Sequence, residues 1–523
     1  MGRAMARVAV DNDMRQNDQY RKSPKAKWAE YNEGCSKNEK PVKPRSKITT
    51  LALKAMGIFG GVQMVGIVCS LIRTKLVALW IGTAGVGLFG IFNQALEMLN
   101  MATNLGIRQS SVRDLSQASA DADRRRLSRL IAVVRRWSLW LALGGALLTM
   151  ALAPLLSRFT FGDYDHLWHY VALSTAVLLM ALTNGEYAVF QGVAKLRRLA
   201  SVTLAGTIGG LAISVPLFYF LRERSIVPSI IAYAASCAIA AMIVREKNEC
   251  ACPPTRRETL RIGADFVRLG IYMTLGTFVA MLANYIFIAW LNFHHGNSEV
   301  GLYHAGYTII NKYPGLVFTA LGMEFYPRLA QVADSRRRLR VFVSQEANMA
   351  LLVLAPVLTL FIVLRSTVVD LLYSAEFMPI VSMVSWGMVG TLLRALSWCM
   401  AFVILARGDG RLFLLTESLS AIASLALNIV CYRLWGITGL GVAYLAWYLV
   451  YTVIIAVVYF GKYRLALGRR CYLALAWAMA IVAATVVAME AGMLPLAIAT
   501  TAVAIAASAA LALRLLKPGG RLG

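Results

Sequence analysis

The chain has 523 residues, of which 58% are hydrophobic and only 15% charged, with a mean hydropathy of +0.61. A soluble domain is about 45–50% apolar and about 25% charged, so this balance excludes an ordinary soluble globular protein and points to a membrane protein. The formal net charge of +26 would suit nucleic acid only if the basic side chains shared one solvated face, so their distribution decides what the charge means.

Residues 1–47 carry twelve Lys or Arg, six Asp or Glu and no long apolar run, which reads as a disordered basic tail. They lack the apolar core of a signal peptide, so the first helix is expected to act as an uncleaved insertion signal. Apolar stretches long enough to cross a hydrocarbon core of ~30 Å then follow. They fall at about 51–72, 86–107, 137–157, 167–190, 199–221, 226–244, 264–290, 300–325, 347–364, 380–405, 412–432, 438–460, 471–489 and 493–513. The expected fold class is an all-α polytopic membrane protein with about 14 transmembrane helices. Between the second and third stretches, 109–136 mixes Arg with Leu, Ile and Val, and reads equally as an amphipathic surface helix or a solvated basic loop.

The basic residues alternate with these stretches. Placing the N-terminus in the cytoplasm puts 42 of the 53 Lys and Arg on the inner side, seven on the outer side and four within helices. Cytoplasmic loops accumulate Lys and Arg, so both termini are expected inside. The charge then marks a membrane face and argues against a nucleic-acid partner. The eight cysteines are scattered and read as reduced thiols, and Cys250-x-Cys252 beside Pro253 is a weak metal signal. The five histidines fall toward the outer side without metal-ligand spacing and read as solvated loop residues; no Walker A sequence is present.

An internal repeat runs through the first twelve stretches. Gly57-Ile58-Phe59 recurs as Gly270-Ile271-Tyr272, Gly87-Leu88-Phe89 as Gly301-Leu302-Tyr303, and Leu105-Gly106 as Leu321-Gly322; Arg113-Asp114-Leu115 falls near Arg328-Leu329-Ala330. Six helices separate the copies, so both have one orientation in the membrane, the parallel-repeat arrangement of many transporters. The expected organisation is a tail (1–47), an N-lobe of helices 1–6 (48–246), a C-lobe of helices 7–12 (247–465), and two extra C-terminal helices with a tail (466–523).

An ionisable group at mid-bilayer costs at least ~2.5–3.5 kcal/mol, so it asks for a cavity or a partner. In the second stretch Asn93, Glu97, Asn100, Asn104 and Arg108 recur at helical spacing and form one face. In the eighth, His304, Thr308, Asn311, Lys312, Gly315 and Thr319 do the same, and the repeat offset sets Glu97 against Lys312. These stripes line a cavity or bind neighbouring helices through hydrogen bonds. Arg394 lies mid-helix and needs water, an anion or an ion pair. Lys54, Arg268 and Arg73 sit near helix ends, where snorkelling competes with a role in binding. The carboxylates Glu97, Glu186 and Glu324 are the candidates for ion coupling.

The segment Gly82-Thr-Ala-Gly85-Val-Gly87-Leu followed by Leu105-Gly106-Ile107 and a Ser-Val-Arg-Asp run, Tyr326-Pro327-Arg328-Leu329, and the turn from Leu405 to Leu412 resemble the Wzx-type flippases. These are translocases of O-antigen and enterobacterial common antigen in the superfamily that includes multidrug extruders and the lipid II flippase. The resemblance covers roughly 50–465. It implies a transporter, not an enzyme, that moves an undecaprenyl-diphosphate-linked oligosaccharide between the leaflets of the bacterial inner membrane by alternating access, without a bound cofactor and with H⁺ or Na⁺ coupling open. It also implies contact with membrane lipids and with polysaccharide polymerase or assembly proteins. A diphosphate would need cations such as Lys312 and Arg394, and sugars would use the Asn and Thr lining. A cation-coupled multidrug exporter of the same fold, or a non-transporting component of a polysaccharide assembly complex, are the alternatives.

Overall fold

The computed structural model describes residues 46–104, 106–120, 124–245, 255–332 and 335–516. Its two compact units are Met1–Phe59, described from residue 46 as the start of a helix, and Gly60–Gly523, which holds everything below. Among the described residues there are helices and no strands. They are α1 (Ser46–Trp80), α2 (Gly82–Asn104), α3 (Ile107–Ala120), α4 (Arg124–Phe161), α5 (Leu167–Gly192), α6 (Leu196–Leu221), α7 (Ile226–Ile243) and α8 (Arg256–His295). There follow α9 (Asn297–Val332), α10 (Arg336–Val363), α11 (Arg365–Leu372), α12 (Ile380–Ala406), α13 (Gly410–Ala456), α14 (Arg469–Glu490) and α15 (Leu494–Leu516).

Each expected apolar stretch falls on one of these helices, because a chain in hydrocarbon must satisfy its own backbone polar groups. Eight helical segments among the described residues are long and apolar enough to cross a membrane, and those of 47 and 53 residues each have the length for two crossings. The 53-residue segment contains α13, which bends at Trp435-Gly436, where Gly436 takes φ +57°. Local sequence sets several boundaries. Thr255 and Glu258 form a capping box at the start of α8, with Glu258 N–H donating to Thr255 Oγ1 at 3.3 Å and Thr255 N–H to Glu258 Oε2 at 3.1 Å.

The expected single face ending at Arg108 is broken. Gly106 has φ +65°, a left-handed conformation that ends α2, so Arg108 belongs to α3. The segment 109–136 is helical on both sides of residues 121–123. Leu115 and Ala118 of α3 pack with Leu130, Ile131, Val133 and Val134 of α4, so one side of this basic segment docks against protein.

One core joins Phe92, Leu96 and Leu99 of α2 to Tyr170 and Leu173 of α5, Ile226 and Ile230 of α7, and Tyr285 of α8. A second joins Val77 of α1 and Val86 of α2 to Leu302 and Ile309 of α9, with Leu354 and Leu358 of α10 and Leu392 of α12. The repeat appears directly in the packing of α2 on α9. A Cβ on Gly87 would lie 1.9 Å from the carbonyl oxygen of Asn297, and one on Gly301 would lie 2.0 Å from that of Thr83. Thr83 and Gly87 correspond to Asn297 and Gly301 at one offset, so the contact is reciprocal about a two-fold axis, as in a self-complementary dimer.

Hydrogen bonds at both ends of α4 tie it to α8. Near the end of α4, Thr160 Oγ1 and Tyr285 OH share a hydrogen bond of 2.9 Å, and Asn292 Nδ2 donates to Thr160 O at 2.9 Å. At the arginine-rich end, Trp137 Nε1 donates to Thr259 O at 2.7 Å. The C-terminal pair packs on the second half: α14 contacts α10 and α12, and α15 contacts α10 and α14. Buried Arg365 pins the end of α14 by pairing with Glu490, and it also donates to Ser385 Oγ at 2.6 Å.

Candidate functional site

Of the expected polar stripes, that of α9 reaches a cavity of about 290 Å³ through Lys312, while no residue of the α2 stripe lines it. Its wall includes Ser70 and Arg73 of α1, Thr203 and Thr207 of α6, Tyr233 of α7 and Lys312 of α9. The guanidinium of Arg73 lies between two aromatic rings, 5.0 Å from the centroid of Phe89 and 4.9 Å from that of Tyr233. Cation–π contacts hold the planar cation in place without neutralising it, and its buried Nε has no hydrogen-bond partner among the described residues. Lys312 Nζ donates to Ser70 Oγ at 3.1 Å and stays exposed. The charges of both Arg73 and Glu97 act on it. Glu97 is accessible to solvent, and Asn93 Nδ2 donates to its Oε1 at 3.1 Å. Asn93 and Glu97 thus form one hydrogen-bonded pair on α2, and Lys312 is tied to α1 through Ser70.

The remaining candidates fall into three other places. Along α2, Asn104 donates to Asn100 Oδ1, which also accepts from Asn184 Nδ2 at 3.5 Å. Arg108 continues this chain across the helix break by donating to Asn184 Oδ1 at 3.4 Å. Arg394 belongs to a tyrosine-rich group. Its NH1 donates to Asn311 Oδ1 at 2.9 Å and to Tyr444 OH at 3.2 Å, and the guanidinium lies 4.8 Å from the Phe318 centroid. Asn311 and Lys312 are consecutive on α9, about 100° apart around the axis, and serve different groups. Glu186 is held by two arginines at the arginine-rich end. Arg135 binds it through two bonds of 2.7 and 2.8 Å, and Arg245 Nε lies 2.9 Å away. The side chains of Lys54, Arg268 and Glu324 lie outside the described residues, as do Cys250 and Cys252.

The histidines depart from the expectation of solvated loops. His166 stacks on Phe161 at 3.7 Å, His169 stacks on Phe92 at 5.7 Å, and His304 packs against Gly90, so three of the five are built into helix contacts. Their rings supply flat apolar area where helices cross, which spacing alone does not reveal. Cys69, Cys237, Cys399, Cys431 and Cys471 are buried free thiols. Sequence reasoning missed Ser70, Thr203, Thr207, Tyr233 and Asn184. The i,i+4 pair Thr203 and Thr207 on α6, and the stripe Tyr444, Tyr448, Tyr451 on α13, were the available signals.

Chemically, the α1–α9 cavity presents a fixed guanidinium, a mobile ammonium and hydroxyl groups, which together suit an anionic group carrying hydrogen-bonding substituents. Residues 87–382 match the profile of a family described as "Polysaccharide biosynthesis protein". The lipid III flippases of Escherichia coli (strain K12) and Shigella flexneri are each 25% identical over 403 residues, covering 74% of this chain and 93% of theirs. Among solved structures, the lipid II flippase MurJ in an inward closed conformation matches with a TM-score of 0.65 at 10% identity, over 89% of this chain and 100% of that one. An inward-facing multidrug resistance MATE transporter of the MOP superfamily matches with a TM-score of 0.63 at 13% identity, over 76% of this chain and 94% of that one. The matched profile spans more than half of the chain, which therefore belongs to the polysaccharide biosynthesis protein family, and its fold is that of the MurJ and MATE structures.

Proposed function

We propose that the chain is a flippase that carries an undecaprenyl-diphosphate-linked oligosaccharide, an O-antigen or related repeat unit, from the cytoplasmic to the periplasmic leaflet of the bacterial inner membrane. The observation that carries this reading is the presence of two cations, Arg73 and Lys312, in one cavity whose largely apolar wall also carries the hydroxyls of Ser70, Thr203, Thr207 and Tyr233. The names of the curated relatives, lipid III flippases, support a lipid-linked substrate.

In this reading the diphosphate sits between the guanidinium of Arg73 and the ammonium of Lys312. The sugars take hydrogen bonds from Ser70, Thr203, Thr207 and Tyr233, and the polyprenyl tail remains in the bilayer. The arginine-rich end of the bundle faces the cytoplasm, with both termini inside. Glu97 is the best placed of the coupling candidates. As an anion it balances Lys312 in the empty cavity and repels a diphosphate; a proton or Na⁺ on Glu97 would remove that repulsion and tie cation movement to substrate entry. Polysaccharide polymerase or assembly proteins would receive the product.

The test is surface glycan production in a strain that depends on this chain. Lys312→Ala and Arg73→Gln should each reduce surface glycan at least tenfold while the protein stays at normal level in the membrane. Normal glycan in both variants would refute the cavity assignment.

A further inference from the structure

A second built site lies on α4, α5 and α7, and it shares no lining residue with the Arg73–Lys312 cavity. We propose that this crevice of about 210 Å³ binds the phosphate headgroup of a resident anionic phospholipid in the leaflet at the arginine-rich end.

The polar end of the crevice is made by Arg135, Glu186 and Arg245, with the hydroxyls of Ser138 and Thr183 beside them. Glu186, with 9% side-chain exposure, accepts two bonds from Arg135, whose side chain is 13% exposed. Arg245 contacts the same carboxylate through Nε, lines the crevice and keeps 48% of its side chain exposed. Glu186 therefore acts as a positioning residue that fixes two guanidinium planes, and a phosphate can take the terminal donors of Arg245 as charge-assisted hydrogen bonds.

The rest of the wall is apolar and open to the membrane. Leu139 of α4 and Met242 of α7 line the crevice and are 46% and 51% exposed. Leu143 on α4 and Ile239 on α7 extend this exposed apolar surface away from the charges, along the direction of an acyl chain. A free anion would use the polar end and leave the apolar slot empty; an amphiphile uses both. Basic pockets between membrane helices bind anionic lipid headgroups for this reason. No residue lines both this crevice and the Arg73–Lys312 cavity, which separates this site from the proposed transport path.

The full-length protein, purified in neutral detergent and delipidated, should be titrated with phosphatidylglycerol, phosphatidylcholine and inorganic phosphate, and bound lipid counted by native mass spectrometry. We expect phosphatidylglycerol to be retained at least tenfold better than phosphatidylcholine, and inorganic phosphate to leave it in place. Arg245→Gln should cut that preference at least fivefold. Leu139→Trp, which fills the slot from its exposed edge and leaves the ion cluster intact, should do the same. Equal retention of the two lipids, an unchanged preference in both variants, or displacement by inorganic phosphate would overturn the proposal. Displacement by a polyprenyl diphosphate would also overturn it, by assigning the crevice to the transported lipid.

Discussion

Arg394 and Lys312 look alike in the sequence, as cations in mid-helix, but the structure gives them different work. Arg394 is spent on protein: its guanidinium holds Asn311 and Tyr444 and stacks on Phe318. Arg394→Ala should leave those groups without their donor at a cost of about 1–3 kcal/mol, seen as a lower melting temperature in detergent. Arg394→Lys should recover only part of it, because an ammonium cannot reproduce the planar fork. Among the described residues Lys312 has one hydrogen bond, to Ser70, and is exposed, so Lys312→Ala should change stability by no more than about 0.5 kcal/mol while export fails. Outside the membrane segments, Asp409 takes hydrogen bonds from Tyr463 OH and from Lys462 Nζ, the latter at 3.2 Å. The Tyr463 bond, with Lys462 behind it, holds the Asp409 carboxyl below the usual carboxylate range. A depressed folded pKa contributes stability above the unfolded value of ~3.9 and loses it as pH falls through the lower folded value. The melting-temperature gap between the wild type and Asp409→Asn should thus be constant at neutral pH and close below about pH 4.

At the scale of the helix, the crossing of α2 on α9 carries the repeat. Gly87→Ala and Gly301→Ala each drive a methyl group into the partner's carbonyl oxygen, and the helices must separate. Both should lose about 1–3 kcal/mol or more, and by similar amounts, because the contact is reciprocal. Gly144→Ala on α4 is the control. Its Cβ would meet nothing within 4 Å, so it should be neutral or stabilising by up to about 1 kcal/mol. Thermal melts of the three variants decide this. The helices themselves were legible because runs of about twenty apolar residues have no other stable form in lipid. The repeat offset made Glu97 correspond to Lys312 and Gly87 to Gly301, but that the two glycines sit at one helix crossing is visible only in the packing. The break at Gly106 was not legible, since glycine in a membrane helix is common and only its backbone angle reveals a stop. Nor could the sequence tell Arg394 from Lys312, because the difference lies in Tyr444, Phe318 and Ser70, side chains brought near by tertiary packing.

For the molecule as a whole, the uneven charge of the sequence becomes a statement about sides. Ser298 and Arg337 are exposed near opposite ends of α9 and α10, and a single cysteine at each tests the orientation. In a variant lacking native cysteines, a membrane-impermeant maleimide should label Ser298→Cys in intact cells and spare Arg337→Cys. The reverse pattern would invert the direction of transport proposed above. The central claim is that Arg73 and Lys312 together hold the diphosphate of a lipid-linked oligosaccharide during its passage, and its most direct test is flipping by the full chain in proteoliposomes. Undecaprenyl-diphosphate-linked oligosaccharide in the donor leaflet should become accessible to a glycan-cleaving enzyme on the other side with the wild type, and at least tenfold more slowly with Lys312→Ala and Arg73→Gln. Equal rates for the wild type and both variants, or no flipping by a folded wild type, would contradict the account.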